Sequence, residues 1–183
     1  MSEHPFHKKI GEELRKMKLC HCEIVLDEAC DNSTTGKKQQ IPLFVSEKNN
    51  ENALCKVDAI ITCNDKIKII IEIEESAFKP TTICGKYLTS ALAKNYTDRN
   101  GNEISIPPNS VLFIQIIDLH KMLNGVKEKE NSKKKEQLEI VKAAIKEIQV
   151  GSIEKYELIF INSQKPDFSE FRKLIKDYLN INY

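Results

Sequence analysis

The stretch KIKIIIEIEES, Lys66 to Ser76, decides how this chain is read. Isoleucines at 67, 69, 70, 71 and 73 make it the clearest β-strand in the sequence, apolar enough to be central. Residues two apart on a strand point to one face, so Glu72 and Glu74 stand side by side. Two carboxylates on the face of a central strand repel each other. Burial makes both costly unless a proton or a cation joins them.

Working outward, the segment ALCKVDAIITC (53–63) reads as one continuous strand, and Asn64-Asp65 as the turn that leads into Lys66. Before it, 5–18 carries Phe6, Ile10, Leu14 and Met17 at helical spacing, 22–29 is a short strand, and IPLFV (41–45) is another. DNSTTGKKQQ and SEKNNEN read as loops. After it, Pro80 opens a helix whose buried side is expected to hold Leu88, Ala91 and Leu92, and NGNEISIPPN reads as a loop. SVLFIQIID (110–118) is the unbroken apolar run of a strand buried on both faces. Residues 127–150 form a helix with Leu138, Val141, Ala144, Ile145 and Ile148 on one face. YELIFIN (156–162) is a strand, and DFSEFRKLIKDYLN a closing helix capped by Asp167 or Ser169. This order predicts a single α/β domain over 1–183, with a mixed sheet flanked by helices, antiparallel early and parallel later.

Composition narrows the classes. With 28 Lys+Arg against 27 Asp+Glu the net charge is +1, so no overall basic field marks a nucleic-acid partner, although a local patch would be enough. No apolar run approaches a membrane span, and the first residues show no secretory leader. The six cysteines include Cys20, Cys22 and Cys30 in CHCEIVLDEAC, but a lone C-x-C without a second pair is not zinc spacing. The expectation is a cytoplasmic protein whose cysteines are reduced thiols, not disulfides. His4, His7, His21 and His120 compose no nucleophilic triad.

Asp58 lies fourteen residues before Glu72. A two-residue Asn64-Asp65 loop sets Asp58 opposite Ile71, on the face away from the glutamates. A three-residue loop, or a bulge with the same effect, sets Asp58 opposite Glu72, about 5 Å away at Cβ. In the second register Asp58, Glu72 and Glu74 form a patch of hard oxygen donors suited to Mg²⁺ or Mn²⁺. Such an ion polarises a phosphoryl oxygen and activates water.

On these residues the chain resembles the PD-(D/E)XK nuclease superfamily, which includes many restriction endonucleases. The resemblance implies an αβββαβ core with an additional C-terminal helix, strand and helix. Asp58 matches the first acid and Glu72 the second. Glu74 stands where the commoner motif has lysine, as in Glu-x-Glu members, and Val57 stands where proline usually precedes the first acid. An optional acid on the first helix would be Glu12 or Glu13. The resemblance further implies a Mg²⁺- or Mn²⁺-dependent endonuclease of restriction type, with DNA as the expected partner, RNA the other nucleic acid such chemistry serves, no membrane, and a homodimer. Asp58, Glu72 and Glu74 would be catalytic and metal-binding. Lys79 and Lys86, near the start of the following helix, would contact phosphate and take the missing lysine's place, with Gly85 beside Lys86 permitting close backbone approach. The alternative is a nuclease-fold protein that has lost catalysis and binds nucleic acid or protein. A plain interaction domain is the third class.

Overall fold

In the computed structural model the described residues are 4–31, 39–46, 52–76, 78–124, 128–148 and 150–181. Of the loops expected over 31–40 and 46–52, residues 32–38 and 47–51 lie outside them. Helix α1 (Pro5–Lys16) leads into β1 (Cys22–Leu26), β2 (Ile41–Phe44), β3 (Ala53–Val57), β4 (Ala59–Cys63) and β5 (Lys66–Glu74). Then come α2 (Pro80–Leu92), β6 (Asn95–Thr97), β7 (Glu103–Ser105), β8 (Val111–Asp118), α3 (Leu119–Leu123), α4 (Glu128–Lys146), β9 (Ile153–Ile161) and α5 (Ser169–Ile181).

The protein is α/β, with the mixed open sheet flanked by helices that the element order predicts. Its spine runs β1-β4-β5-β8-β9: β1, β4 and β5 are antiparallel, while β8 and β9 run parallel to β5. A smaller antiparallel group, β7-β6-β2-β3, joins β5 through the single pairing of Lys66 with Ser105.

β5 and β8 are apolar on both sides because helices cover both sides. Ile69, Ile71 and Ile73 pack with Phe6, Ile10 and Leu14 of α1 and Phe171 and Ile175 of α5. Ile67 and Ile70 pack on the opposite face with Ile83 and Tyr87 of α2 and Leu138 and Ile145 of α4. Each fully buried isoleucine contributes about 1.5–3 kcal/mol relative to exposure, so the central strands anchor both cores. Among the described residues no helix is long and apolar enough to cross a membrane.

Several expectations are corrected. The continuous strand 53–63 breaks at Asp58: β3 pairs with β2, whereas β4 pairs with β1 and β5. Leu88 and Leu92 face outward at 43% and 53% exposure; Ala91 is buried as expected, together with Ile83, Tyr87 and Ser90. On α4, Leu138 and Ile145 are buried but Ala144 is exposed, and Ile148 lies exposed beyond the helix, which ends at Lys146. The loop 100–109 holds β7, and the 80–96 helix stops early enough for Asn95–Thr97 to form β6. α5 receives its cap from Asp167, whose Oδ1 accepts the Ser169 N–H at 2.9 Å.

The cysteines are not all free. Cys22 and Cys63 are directly opposed in the β1/β4 register, 4.3 Å apart at Cα, and form a disulfide. That separation is the close, non-hydrogen-bonded kind of antiparallel pair, which brings the two sulfurs together. Cys20 is exposed and Cys30 buried, both as thiols, so Cys20, Cys22 and Cys30 form no metal set. The disulfide removes the all-thiol argument on which the compartment expectation leaned.

Candidate functional site

The β4/β5 hairpin settles the register by a route that combines both alternatives. Asn64 and Asp65 form a two-residue turn with φ of 52° and 56°, the left-handed pair typical of tight hairpins. Cys63 pairs with Lys66 and Thr62 with Ile67, but Ile61 then pairs with Ile69, leaving Lys68 as the extra residue of a bulge. Beyond it Ala59 pairs with Ile71. One further step on that register sets Asp58 across from Glu72, as a three-residue loop would have done.

Asp58 stands where the chain leaves β3 and enters β4, so no strand neighbour uses the Ile73 N–H there. The Asp58 carboxylate takes that place: Oδ2 accepts from Ile73 N at 2.6 Å. Its other oxygen lies 3.5 Å from His7 Nε2.

Glu72 and Glu74 project on the α2 side, exposed by only 1% and 3%. Lys86, in the second turn of α2, reaches down between them. Its ammonium donates to Glu72 Oε2 at 2.8 Å and lies 2.8 Å from Glu74 Oε1. The second contact is an ion pair by distance but lacks hydrogen-bond alignment, because Glu74 Oε1 has no hydrogen-bond partner, and neither does Glu72 Oε1. Burial first, and the nearby Asp58 charge second, push the Glu72 carboxyl up to about 8, against the pull of Lys86. Burial likewise raises Glu74, again against Lys86. The two carboxylates hold the Lys86 ammonium firmly charged despite its burial.

The remaining sequence-selected residues fall elsewhere. Lys79 is the exposed residue preceding α2, where its carbonyl accepts from Thr82 and Ile83. Gly85 has open space where a side chain would sit, so close backbone approach is not its reason for being there. Glu13 is buried in an ion pair with Arg172 and lies 3.3 Å from Lys16, and Glu12 is exposed.

The first helix contributes His7 instead. Glu75 Oε1 accepts the N–H groups of Phe6 and His7 at 3.1 and 3.0 Å and lies 2.7 Å from His7 Nδ1; Lys121 binds Oε2 at 2.6 Å. Glu75 therefore caps α1 from the end of β5. Burial alone would lower His7, but Asp58 and then Glu75 raise it to about 9. Burial alone would raise Glu75, but His7 and then Lys121 hold it at about 2. The position of Glu75 directly after Glu74 was the only trace of this in sequence.

Asp58, Glu72 and Glu74 supply hard oxygens of the type Mg²⁺ or Mn²⁺ takes, and Glu72 Oε1 is buried without a hydrogen-bond partner, but the three do not form a group whose ligand atoms all lie within 4.8 Å of one another. Lys86 now provides the cation between the glutamates. Among the described residues, the trio whose ligand atoms all lie within 4.8 Å of one another is His4, His7 and Glu75. That trio makes a poor cation site: Glu75 is saturated by a helix N-terminus and an ammonium, both positive.

Fold and site together define a three-layer α/β protein with a buried carboxylate–lysine cluster beside a strand break. No protein-family model, curated protein or solved structure matches the chain.

Proposed function

We propose that the protein is a divalent-metal-dependent endonuclease of the PD-(D/E)XK type acting on DNA. The observation that carries this reading is Lys86, set 2.8 Å from both Glu72 and Glu74 although it comes from α2 and not from the strand. It supplies in space the lysine that Glu74 displaces in sequence. The order α1, β1-β4-β5 antiparallel, α2, then β8 parallel to β5 supports the same reading.

In this reading Asp58 and Glu72 hold Mg²⁺ or Mn²⁺ through carboxylate oxygens. The bound ion supplies Lewis-acid polarisation of a phosphoryl oxygen and a water of lowered pKa. Glu74, whose carboxyl is raised by burial, is suited to take the proton of the attacking water. Lys86, released from between the acids, places its charge on a phosphate oxygen. Lys79 extends this phosphate contact at the exposed start of α2.

A second reading has one observation in its favour. Glu72 and Glu74 are nearly inaccessible under Lys86, which suits a nuclease-fold binding module without catalysis. Incubating purified protein with supercoiled plasmid in Mg²⁺ or Mn²⁺ separates the two. Metal-dependent cleavage lost in Asp58→Ala and Glu72→Ala, and reduced in Lys86→Ala, is the expected result. Absence of both cleavage and stoichiometric Mn²⁺ binding would overturn the enzyme reading. Full activity in Lys79→Ala and Lys86→Ala would refute the lysine roles.

A further inference from the structure

Two buried polar atoms without partners belong to residues paired across the α2 side of the sheet. One is an acceptor, Glu72 Oε1; the other is a donor, Gln115 Nε2. The residues are directly paired between parallel β5 and β8, so their side chains share a face on strands about 4.8 Å apart. Phe113 and Ile117, two residues to either side of Gln115, belong to the core beneath α2, which places Gln115 on the Glu72 side.

Gln115 is wholly buried, and its Oε1 accepts the Tyr156 hydroxyl at 2.8 Å. That bond sets the amide's orientation. With its oxygen held by Tyr156 on β9, the NH₂ is the end left for Glu72. Tyr156 is itself wedged against Tyr87 and Phe113, with ring centroids 5.4 and 6.0 Å away. An apolar side chain would fill the Gln115 position without leaving a donor unpaired.

We propose that Gln115, oriented by Tyr156, is a positioning residue for Glu72: its Nε2 donates to one water shared with Glu72 Oε1, while Lys86 holds Oε2. The carboxylate is thereby fixed from both oxygens. A carboxylate oxygen has two lone pairs, so Oε1 accepts from that water and still faces a cation. Carboxylates that ligate metals are commonly held in this way by a hydrogen-bonding neighbour. The metal-binding consequence rests on the nuclease reading; the proposed Gln115–Glu72 bridge does not.

The test has two arms. In the first, the Gln115 side-chain amide signals are followed by ¹⁵N NMR in metal-free protein, in wild type, Glu72→Gln and Tyr156→Phe. Expected are two well-separated proton signals in wild type, an upfield move in Glu72→Gln, and broadening in Tyr156→Phe as the amide loses its anchor. Signals unchanged in Glu72→Gln would overturn the proposal whatever the protein's function. In the second, Mn²⁺ affinity is measured calorimetrically for wild type and for Gln115→Met, which keeps the volume. Binding weakened by roughly 10–100-fold is expected, at an unchanged number of sites. Equal affinity would overturn the positioning role while leaving the metal site standing. A wild type that binds no Mn²⁺ would refute the metal reading, and the first arm alone would then decide this one.

Discussion

Replacing Glu72 by Gln should leave stability near wild type at pH 5 and raise it above wild type at pH 9. The Glu72 carboxyl moves from 4.5 to about 8 on folding, because burial and the Asp58 charge disfavour its ionised form. Between those values the folded protein keeps a proton that the unfolded chain has released. Raising the pH through that window therefore costs folding free energy, and above about 8 the loss is complete. At about 1.4 kcal/mol per unit, the ceiling is roughly 5 kcal/mol, and the share Lys86 returns by pairing with Glu72 is already inside it. Gln has no proton to lose and is nearly isosteric, so the variant escapes this penalty. The difference between the two proteins reports Glu72 together with Asp58, Glu74 and Lys86, the charges it interacts with. Urea unfolding of both at pH 5, 7 and 9 measures it. A difference that stays within about 1 kcal/mol across the range would show that Glu72 ionises freely, and would refute the account of a carboxyl kept protonated by its surroundings.

Three other perturbations have defined outcomes. Lys86→Met removes the cation shared by two buried acids and should cost about 3–5 kcal/mol above pH 8, less near pH 6 where protonation relieves the repulsion; equal urea midpoints for variant and wild type at pH 9 would contradict the ion-pair geometry. His7 is raised to about 9 and Glu75 lowered to about 2, so their pairing is fully present from about 4.5 to about 6.5. It fades as pH rises through about 9 or falls through about 2. His7→Gln should then destabilise by about 3 kcal/mol at pH 6 and by much less at pH 10, as thermal melts at the two values will show. Reduction of Cys22–Cys63, which closes a loop of sequence separation 41, should cost about 4 kcal/mol by chain entropy. Denaturation with and without reductant checks it, and coincident curves would mean that the cross-link does not contribute.

Much of this protein is written locally. The 67–73 isoleucine run, the 111–117 run (apolar except for Gln115) and the helical spacing of Phe6, Ile10 and Leu14 each carry their period in neighbouring residues. Strand, buried strand and helix could therefore be read without tertiary information. The side-by-side placement of Glu72 and Glu74 follows from the same two-residue period. What the sequence left open was set by contacts between distant segments. The bulge at Lys68, which brings Asp58 to Glu72, is a property of how β4 meets β5, since the turn alone predicts the opposite face. The break at Asp58 arises because β3 and β4 have different partners, which no property of residues 53–63 announces. Leu88 and Leu92 are apolar and helical, yet the rotation of α2 over the sheet turns them to solvent and sends Lys86 inward. Cys22 meets Cys63, His7 meets Glu75 and Gln115 meets Tyr156 across separations of 41, 68 and 41 residues. Periodicity tells which way a side chain points within its own element; only the packed sheet determines what it finds there.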